Sequence, residues 1–150
     1  MAHIIFYEKP GCSGNRRQKE WLLAAGHTLE VIDLLGHGWT GPELRPFFGG
    51  KPANECFNPS APEIRDGLLD PSTISDGEAL EMMVGRPLLI KRPLMVIEGR
   101  RLQGFDTRLL ETIISLDPVE GAEETVSAFR KSDLDSCAHS PQIPCTTKED

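Results

Sequence analysis

The first 35 residues alternate short apolar runs with an amphipathic stretch. Residues 3–7, HIIFY, form a β-prone run that ends at the turn sequence Lys-Pro-Gly of positions 9–11. Apolar side chains then recur at helical spacing over residues 15–25, Gly26 is a natural stop, and residues 28–35 alternate as a second strand would. This strand, helix, strand order predicts a βαβ unit, in which a right-handed crossover joins two parallel strands.

The rest of the chain up to residue 116 predicts short helices in loops, followed by a hairpin and one more helix. Residues 51–71 are rich in Pro, Asn and Asp, which is typical of short helices and connecting loops. The other predicted elements have recognisable start or stop residues: a helix capped by Thr40 and running to about residue 48, a helix from about residue 75 to 85, a β-hairpin over 93–105, and a final helix over 107–116 capped by Asp106.

Residues 117–150 differ in character from the preceding chain. They hold eight acidic and three basic residues, so this segment carries -5 of the total charge of -7. The sequence predicts one short helix near 123–130, and beyond it the hydrophobic pattern has no periodicity. We therefore expect a folded domain over residues 1–116 and an acidic tail over 117–150 that is largely mobile.

Charge and composition argue against several classes of protein. A net charge of -7 without a Lys- or Arg-rich block gives little support to nucleic-acid binding, and we expect none. No run of about 18 apolar residues and no signal-peptide pattern is present, so we expect a cytoplasmic protein without a membrane segment. The four cysteines form no tight pair, and Cys137, His139 and Cys145 supply only three ligands, so we expect no metal site.

One cysteine lies at the turn between the first strand and the first helix. The predicted element order is that of a thioredoxin-like fold, and it puts Cys12 at the helix N-terminus, where the unpaired amides of Gly14, Asn15 and Arg16 favour an anion. The positive charges of Lys9, Arg16 and Arg17 add to this effect, whereas Glu8 opposes it if its side chain points inward. These conditions favour a reactive thiolate. The alternative is an inert, small core residue.

Two stretches of the chain resemble the arsenate reductase and Spx family of thioredoxin-fold proteins. They are FYEKPGCSGNRRQ, residues 6–18, and LLIKRPLMVIEGRRLQGF, residues 88–105. The resemblance covers residues 2 to about 116 and, within the family, is closest to the nitrogenase-associated proteins of nitrogen-fixing bacteria. It implies an α/β, thioredoxin-like fold with a helical insertion, to which this chain adds a partly disordered C-terminal tail.

The resemblance also implies a catalytic site. Cys12 matches the cysteine that attacks arsenate in the family's reductases and is then released by glutaredoxin from a glutathione mixed disulfide. Arg92 and Pro93 match the family's Arg-Pro, with the proline expected in the cis form. Arg92 would act with Cys12 in catalysis by offering a planar pair of donors. The expected anion- or thiol-binding residues are Gly14, Asn15, Arg16 and Pro93.

Other positions depart from the reductases of this family. Glu8 stands where they carry histidine, and two further arsenate-binding arginines correspond to positions near Asn58 and Phe105. We therefore expect arsenate reduction to be weak or lost. The Spx disulfide switch also lacks its second cysteine, because Asn15 stands there. The resemblance instead favours a thiol-disulfide oxidoreductase that acts through one cysteine, with no bound cofactor and with glutathione as co-substrate.

Several alternatives stay open. A phosphatase loop would need arginine at position 18, where the chain has Gln18, and its phosphate clamp would be incomplete. Cys56 is either a resolving thiol or a structural residue, and Cys137 and Cys145 reach Cys12 only if the tail folds back. A non-catalytic adaptor that binds a protein partner is the second hypothesis. By resemblance, its partner would be related to nitrogenase.

Overall fold

The computed structural model describes residues 1–131. Within this range there are four strands, β1 (His3–Glu8), β2 (Thr28–Asp33), β3 (Leu94–Ile97) and β4 (Arg100–Gln103). The α-helices are α1 (Ser13–Ala24), α2 (Gly41–Leu44), α3 (Pro62–Arg65), α4 (Asp76–Gly85), α5 (Thr107–Glu111) and α6 (Glu123–Arg130). Four short 3₁₀ helices, Arg45–Phe48, Ala53–Glu55, Pro71–Thr73 and Pro87–Leu89, complete this part of the chain.

The strands form one mixed sheet in the order β2-β1-β3-β4. Strands β1 and β2 are parallel with Tyr7 opposite Ile32, and β3 runs antiparallel to β1 with Leu94 opposite Tyr7. Strands β3 and β4 form the predicted hairpin, whose turn places Glu98 and Gly99 at positive φ angles of 51° and 81°. The βαβ unit, the hairpin and the thioredoxin-like α/β fold are therefore confirmed.

Side chains of β1 alternate between two hydrophobic cores, one on each face of the sheet. Ile4 and Phe6 pack with α1, α5 and α6, whereas Tyr7 packs with the segment between β2 and β3. That segment is the predicted helical insertion. The helices between residues 51 and 71 are short, as the Pro- and Asn-rich sequence indicated, and the insertion buries large side chains such as Trp39 and Phe48 against the sheet.

Asp76 ties the insertion together at the start of α4. Its carboxylate accepts hydrogen bonds from the backbone N–H of Ala53 at 2.7 Å and from Arg45 at 3.1 Å. These two donors lower the pKa of Asp76, with the Ala53 amide as the larger cause. The preceding residue, Ser75, caps α4 through a capping box with Glu78.

The C-terminal elements differ from the sequence prediction in length and packing. The helix expected over 107–116 ends as α5 at Glu111, and Ile114 and Leu116 reach the core from the turn that follows. Helix α6 is present where a short helix was predicted, and Val126 is only 2% exposed in the core next to α1. The segment called an acidic tail thus begins with a packed helix. Its remainder, 132–150, lies outside the described residues.

None of the described helices is both long and apolar enough to cross a bilayer.

Candidate functional site

Cys12 is the N-cap residue of α1, at the end of the loop that follows β1. Its backbone N–H donates to the carbonyl of Lys9 at 3.1 Å, and its own carbonyl accepts from the N–H of Arg16 at 3.0 Å. The first-turn amides of Gly14 and Asn15 lie beyond the reach of any carbonyl within the helix, as helix geometry dictates. The predicted position of Cys12 is confirmed, but the Arg16 amide is not open, because it closes the first helical hydrogen bond.

Asn15 holds the Cys12 loop in place through its buried side chain. Its Oδ1 accepts from the backbone N–H of Lys9 at 3.2 Å, and its Nδ2 donates to Oε1 of Gln18 at 2.9 Å. Asn15 and Gln18 are each 1% exposed. The side chain of Asn15 is thus engaged in supporting the loop. The backbone amide of Asn15 is the group that was expected to favour an anion or thiol at the helix end.

The charges around the loop are arranged differently from the expectation. Glu8 does not oppose an anion at Cys12 with its full charge, because Nζ of Lys19 lies 2.6 Å from its carboxylate. Arg16 and Arg17 are exposed. They therefore contribute positive charge from the solvent side, where ions screen it.

The Arg92–Pro93 peptide bond is cis, as the family resemblance implied. Because Leu94 pairs with Tyr7 near the end of β1, this bond lies at the same end of the sheet as the Cys12 loop. The carbonyl of Pro93 accepts from the N–H of Gly104 at 2.8 Å, which anchors the bond to the end of β4.

The guanidinium of Arg92 is buried at this end of the sheet. The residue is only 6% exposed. Two of its donor atoms, Nε and Nη1, are buried and make no hydrogen bond with the described residues, and Arg92 has a further interaction. An arginine side chain keeps its positive charge in proteins, including when it is buried. Arg92 therefore supplies a cation that water screens little.

The two positions that correspond to family arginines have structural roles here. Asn58 is buried, and its Oδ1 accepts from both the backbone N–H and the hydroxyl of Ser60, at 3.1 and 2.8 Å. Phe105 is 1% exposed and packs on Trp21, with ring centroids 5.7 Å apart. Neither position can donate to an oxyanion from a guanidinium.

Cys56 is buried in the core on the insertion side of the sheet. Its S–H donates to the carbonyl of Pro52 at 3.6 Å, and burial raises the pKa of its thiol. Its backbone carbonyl accepts from the N–H of Lys91 and from the Gln103 amide. Cys12 and Cys56 are not joined by a disulfide. These contacts favour the structural interpretation of Cys56. Cys137 and Cys145 lie outside the described residues.

The family model for the ArsC family matches residues 7–113, which include the Cys12 loop, the insertion and the hairpin. The chain belongs to the ArsC family. Three similar proteins illustrate the range of the match.

The chain is 43% identical over 116 residues to an uncharacterised 15.7 kDa protein in the draG 3′ region of Rhodospirillum rubrum, covering 77% of this chain and 81% of the relative. It is 30% identical to the arsenate reductase ArsI2 of Synechocystis, over 61% of this chain and 67% of the relative. The crystal structure of an ArsC family related protein from Bacteroides fragilis superposes with a TM-score of 0.65 at 25% identity, covering 74% of this chain and 98% of that one.

Two features of the ArsC-family site were not predicted from the sequence. One is the buried pair of Asn15 and Gln18, which occupies the inner face of α1 beside Cys12. The other is the burial of Lys9, which is 5% exposed. The spacing of three residues between Asn15 and Gln18, which places two amide side chains on one helix face, could have indicated the buried pair. No feature of the sequence predicted the burial of Lys9, because lysine is rarely buried.

Proposed function

We propose that this ArsC-family protein is a thiol-disulfide oxidoreductase that acts through Cys12, with glutathione as its co-substrate. The observation that carries the proposal is the N-cap position of Cys12 on a helix of 12 residues. The dipole of such a helix and its first-turn amides stabilise a negative charge there. Arg92, a buried cation that precedes β3 at the same end of the sheet, supports the same charge state.

In the proposed reaction, the Cys12 thiolate attacks one sulfur of oxidised glutathione. A new S–S bond forms between Cys12 and that glutathione, the original S–S bond breaks, and the second glutathione leaves as a thiolate that takes up a proton. Cys12 is 2% exposed, so the loop must open locally before an attack of this kind.

Arsenate reduction fits the site less well. A site that binds arsenate requires several cationic donors that converge on its oxygens. At two positions where the family's reductases have arginine, this chain has Asn58 and Phe105, whose side chains make contacts within the fold. We therefore propose that arsenate is at most a weak substrate. In an assay with arsenate, glutathione and glutaredoxin, we expect little turnover. Rapid turnover would contradict this part of the proposal.

The oxidoreductase proposal is tested by mass spectrometry after incubation of the full chain with oxidised glutathione. We expect one glutathione to enter at Cys12. The Cys12→Ser variant should gain none there, and the Cys56→Ser variant, which lacks only the thiol bonded to Pro52, should react as the wild type does. A chain whose Cys12 takes up no glutathione would refute the proposal.

The second hypothesis is a non-catalytic adaptor that binds a protein partner. That this partner is related to nitrogenase stays a prediction from the resemblance. An adaptor needs only the surface of the fold, so it would bind its partner equally well after Cys12→Ser. The oxidoreductase proposal expects that variant to lose the mixed disulfide. The same two proteins therefore separate the hypotheses.

A further inference from the structure

We infer that Gln103, the last residue of β4, is a positioning residue that acts on Cys12 through Arg92. This inference rests on the proposed function of Cys12 and extends it to a residue outside the Cys12 loop. It is drawn from two hydrogen bonds that join the Gln103 side chain to the backbone before Arg92 and to the backbone of the insertion.

The amide nitrogen of Gln103 donates to two backbone carbonyl oxygens. Its Nε2 lies 3.1 Å from the carbonyl oxygen of Lys91 and 3.2 Å from that of Cys56. Because both neighbours are acceptors, the NH2 group, which carries two hydrogens, is the end of the amide that satisfies them. The Lys91 carbonyl belongs to the peptide group that joins Lys91 to Arg92. Gln103 therefore sets the orientation of the backbone at which Arg92 begins.

The pairing of β3 with β4 directs the Gln103 side chain to this place. Gln103 lies opposite Leu94 in the antiparallel ladder. Residues that face each other in such a pair extend to the same side of the sheet. Leu94 is buried in the core on the insertion side, so Gln103 extends toward the insertion as well. The residue is partly buried there, where water competes less for the two carbonyls.

A backbone hydrogen bond anchors the same segment after Arg92. The N–H of Gly104 donates to the carbonyl of Pro93 at 2.8 Å. The peptide group between Arg92 and Pro93 thus lies between two carbonyls that the end of β4 holds, one through a side chain and one through the backbone. The contacts of Gln103 come from its side chain, so a substitution removes them and leaves the backbone pairing in place.

The position of Arg92 matters because its charge acts over a distance. Arg92 is a cation that is only 6% exposed, so salt screens it little. The Coulomb energy between this cation and a thiolate at Cys12 falls as their separation grows. Without Gln103, the peptide group that precedes Arg92 loses a fixed donor and can turn, which moves the charge. A smaller fraction of Cys12 is then ionised at a given pH, and thiol exchange slows because the thiolate is the nucleophile.

Two substitutions remove the donors of Gln103 and keep its size. Methionine has a similar length and no donor, so Gln103→Met takes this donor away from both carbonyls. Glutamate has nearly the same shape, but its ionised carboxylate only accepts hydrogen bonds, so Gln103→Glu places it against two acceptors. The matched control is Leu102→Ala, because Leu102 is the preceding residue of β4 and packs against the core on the opposite face of the sheet.

The first measurement is the rate at which iodoacetamide alkylates Cys12 in the reduced full chain, followed by peptide mass spectrometry as a function of pH. A displacement of about 1 Å in an active site can cost about 100-fold in rate, and we expect about tenfold for Gln103→Met at neutral pH. The pH at which its rate is half-maximal should rise by about one pH unit, because about tenfold less thiolate is then present. Gln103→Glu should lose at least as much, whereas Leu102→Ala should keep the wild-type profile.

A double-mutant cycle shows whether Gln103 acts through Arg92. Arg92→Ala alone should slow the alkylation of Cys12, because it removes the cation. Adding Gln103→Met to Arg92→Ala should cause no further slowing, since the group that Gln103 positions is then absent. A side chain that only stabilised the fold would slow the reaction in both backgrounds. The second measurement is the rate of glutathione uptake from oxidised glutathione, in which Gln103→Met should be about tenfold slower than the wild type.

The outcomes separate the two proposals, and far-UV circular dichroism identifies the variants that fold. A wild-type alkylation profile in a folded Gln103 variant, an equal shift in Leu102→Ala, or a further loss on adding Gln103→Met to Arg92→Ala would each refute the positioning role. If the wild type takes up no glutathione at Cys12 while the alkylation profiles shift as expected, the proposed function fails and the positioning role stands. If glutathione enters Cys12 of the wild type but the profiles do not shift, only the positioning role fails.

Discussion

Replacing Asn15 by alanine should loosen the loop that presents Cys12. The side chain of Asn15 makes two buried hydrogen bonds, one from the backbone N–H of Lys9 and one to the side chain of Gln18. Alanine preserves the helix, since it has the highest helix propensity, and removes only these bonds. The change therefore isolates the contribution of the amide that connects the Cys12 loop to α1.

The expected loss in the free energy of unfolding depends on which other hydrogen bonds Lys9 and Gln18 keep after the substitution. Lys9 is 5% exposed, so its backbone N–H would stay buried without this acceptor, at a cost of about 1–3 kcal/mol. Gln18 is 1% exposed but has other interactions, which places its loss near the lower end of the same range, about 1 kcal/mol. The free energy of unfolding should thus fall by about 2–4 kcal/mol in Asn15→Ala.

Urea unfolding followed by tryptophan fluorescence measures this loss. The matched control is Arg16→Ala, one position along the same helix, where the side chain is exposed and the expected change is within about 0.5 kcal/mol. The denaturant dependence of the two variants should equal that of the wild type. If Asn15→Ala loses no more stability than Arg16→Ala, the Asn15 bonds do not hold the loop and the reasoning fails.

Substitutions at three further positions test the packing and the charges. Phe105→Ala should lose about 3–5 kcal/mol of unfolding free energy in the same assay, and Phe105→Arg should lose at least as much without gaining arsenate turnover, because a cation would then be buried beside Trp21. Trp21→Phe should lose about 1–3 kcal/mol, since the buried carbonyl that accepts its indole N–H loses this donor. Asp76→Asn should change how the free energy of unfolding depends on pH. Because the pKa of Asp76 is lowered in the folded state, its carboxylate stabilises the wild type above about pH 4, and this advantage over the variant should disappear as the pH falls through the folded pKa. Equal pH profiles of the two proteins in acid would contradict this reasoning.

Periodicity and turn residues predicted most of the elements that position the site. Strand β1, helix α1, strand β2 and the β3–β4 hairpin lie within a few residues of their predicted bounds. Helix α1 begins at Ser13, two residues earlier than predicted, because cysteine is not among the preferred N-cap residues that mark a start. The final helix was predicted too long, since its apolar residues near 114–116 reach the core from a turn rather than from a helical face.

Long-range packing was harder to predict than local structure. Asn15 and Gln18 are polar residues of α1, yet both are buried, and a hydrogen bond joins their side chains. Helix α6 was predicted as a short helix, and nothing local indicated that Val126 would be buried in the core or that Phe129 would stack on Trp21. Contacts of this kind join residues more than 100 positions apart, and a pattern read within one window does not contain them.

The substituents at the family's arginine positions are the reason why we propose a thiol rather than arsenate as the substrate of this site. An oxyanion such as arsenate carries charge on several oxygens, and binding it requires donors from several directions at once. Here Asn58 accepts a hydrogen bond from Ser60 in a local turn, and Phe105 packs on Trp21 in the core. The groups that remain to stabilise an anion among the described residues are the first-turn amides of α1 and the cation of Arg92. A thiolate concentrates its charge on one sulfur atom, for which one helix end and one cation suffice. The described residues therefore fit the proposed thiol exchange better than they fit arsenate binding.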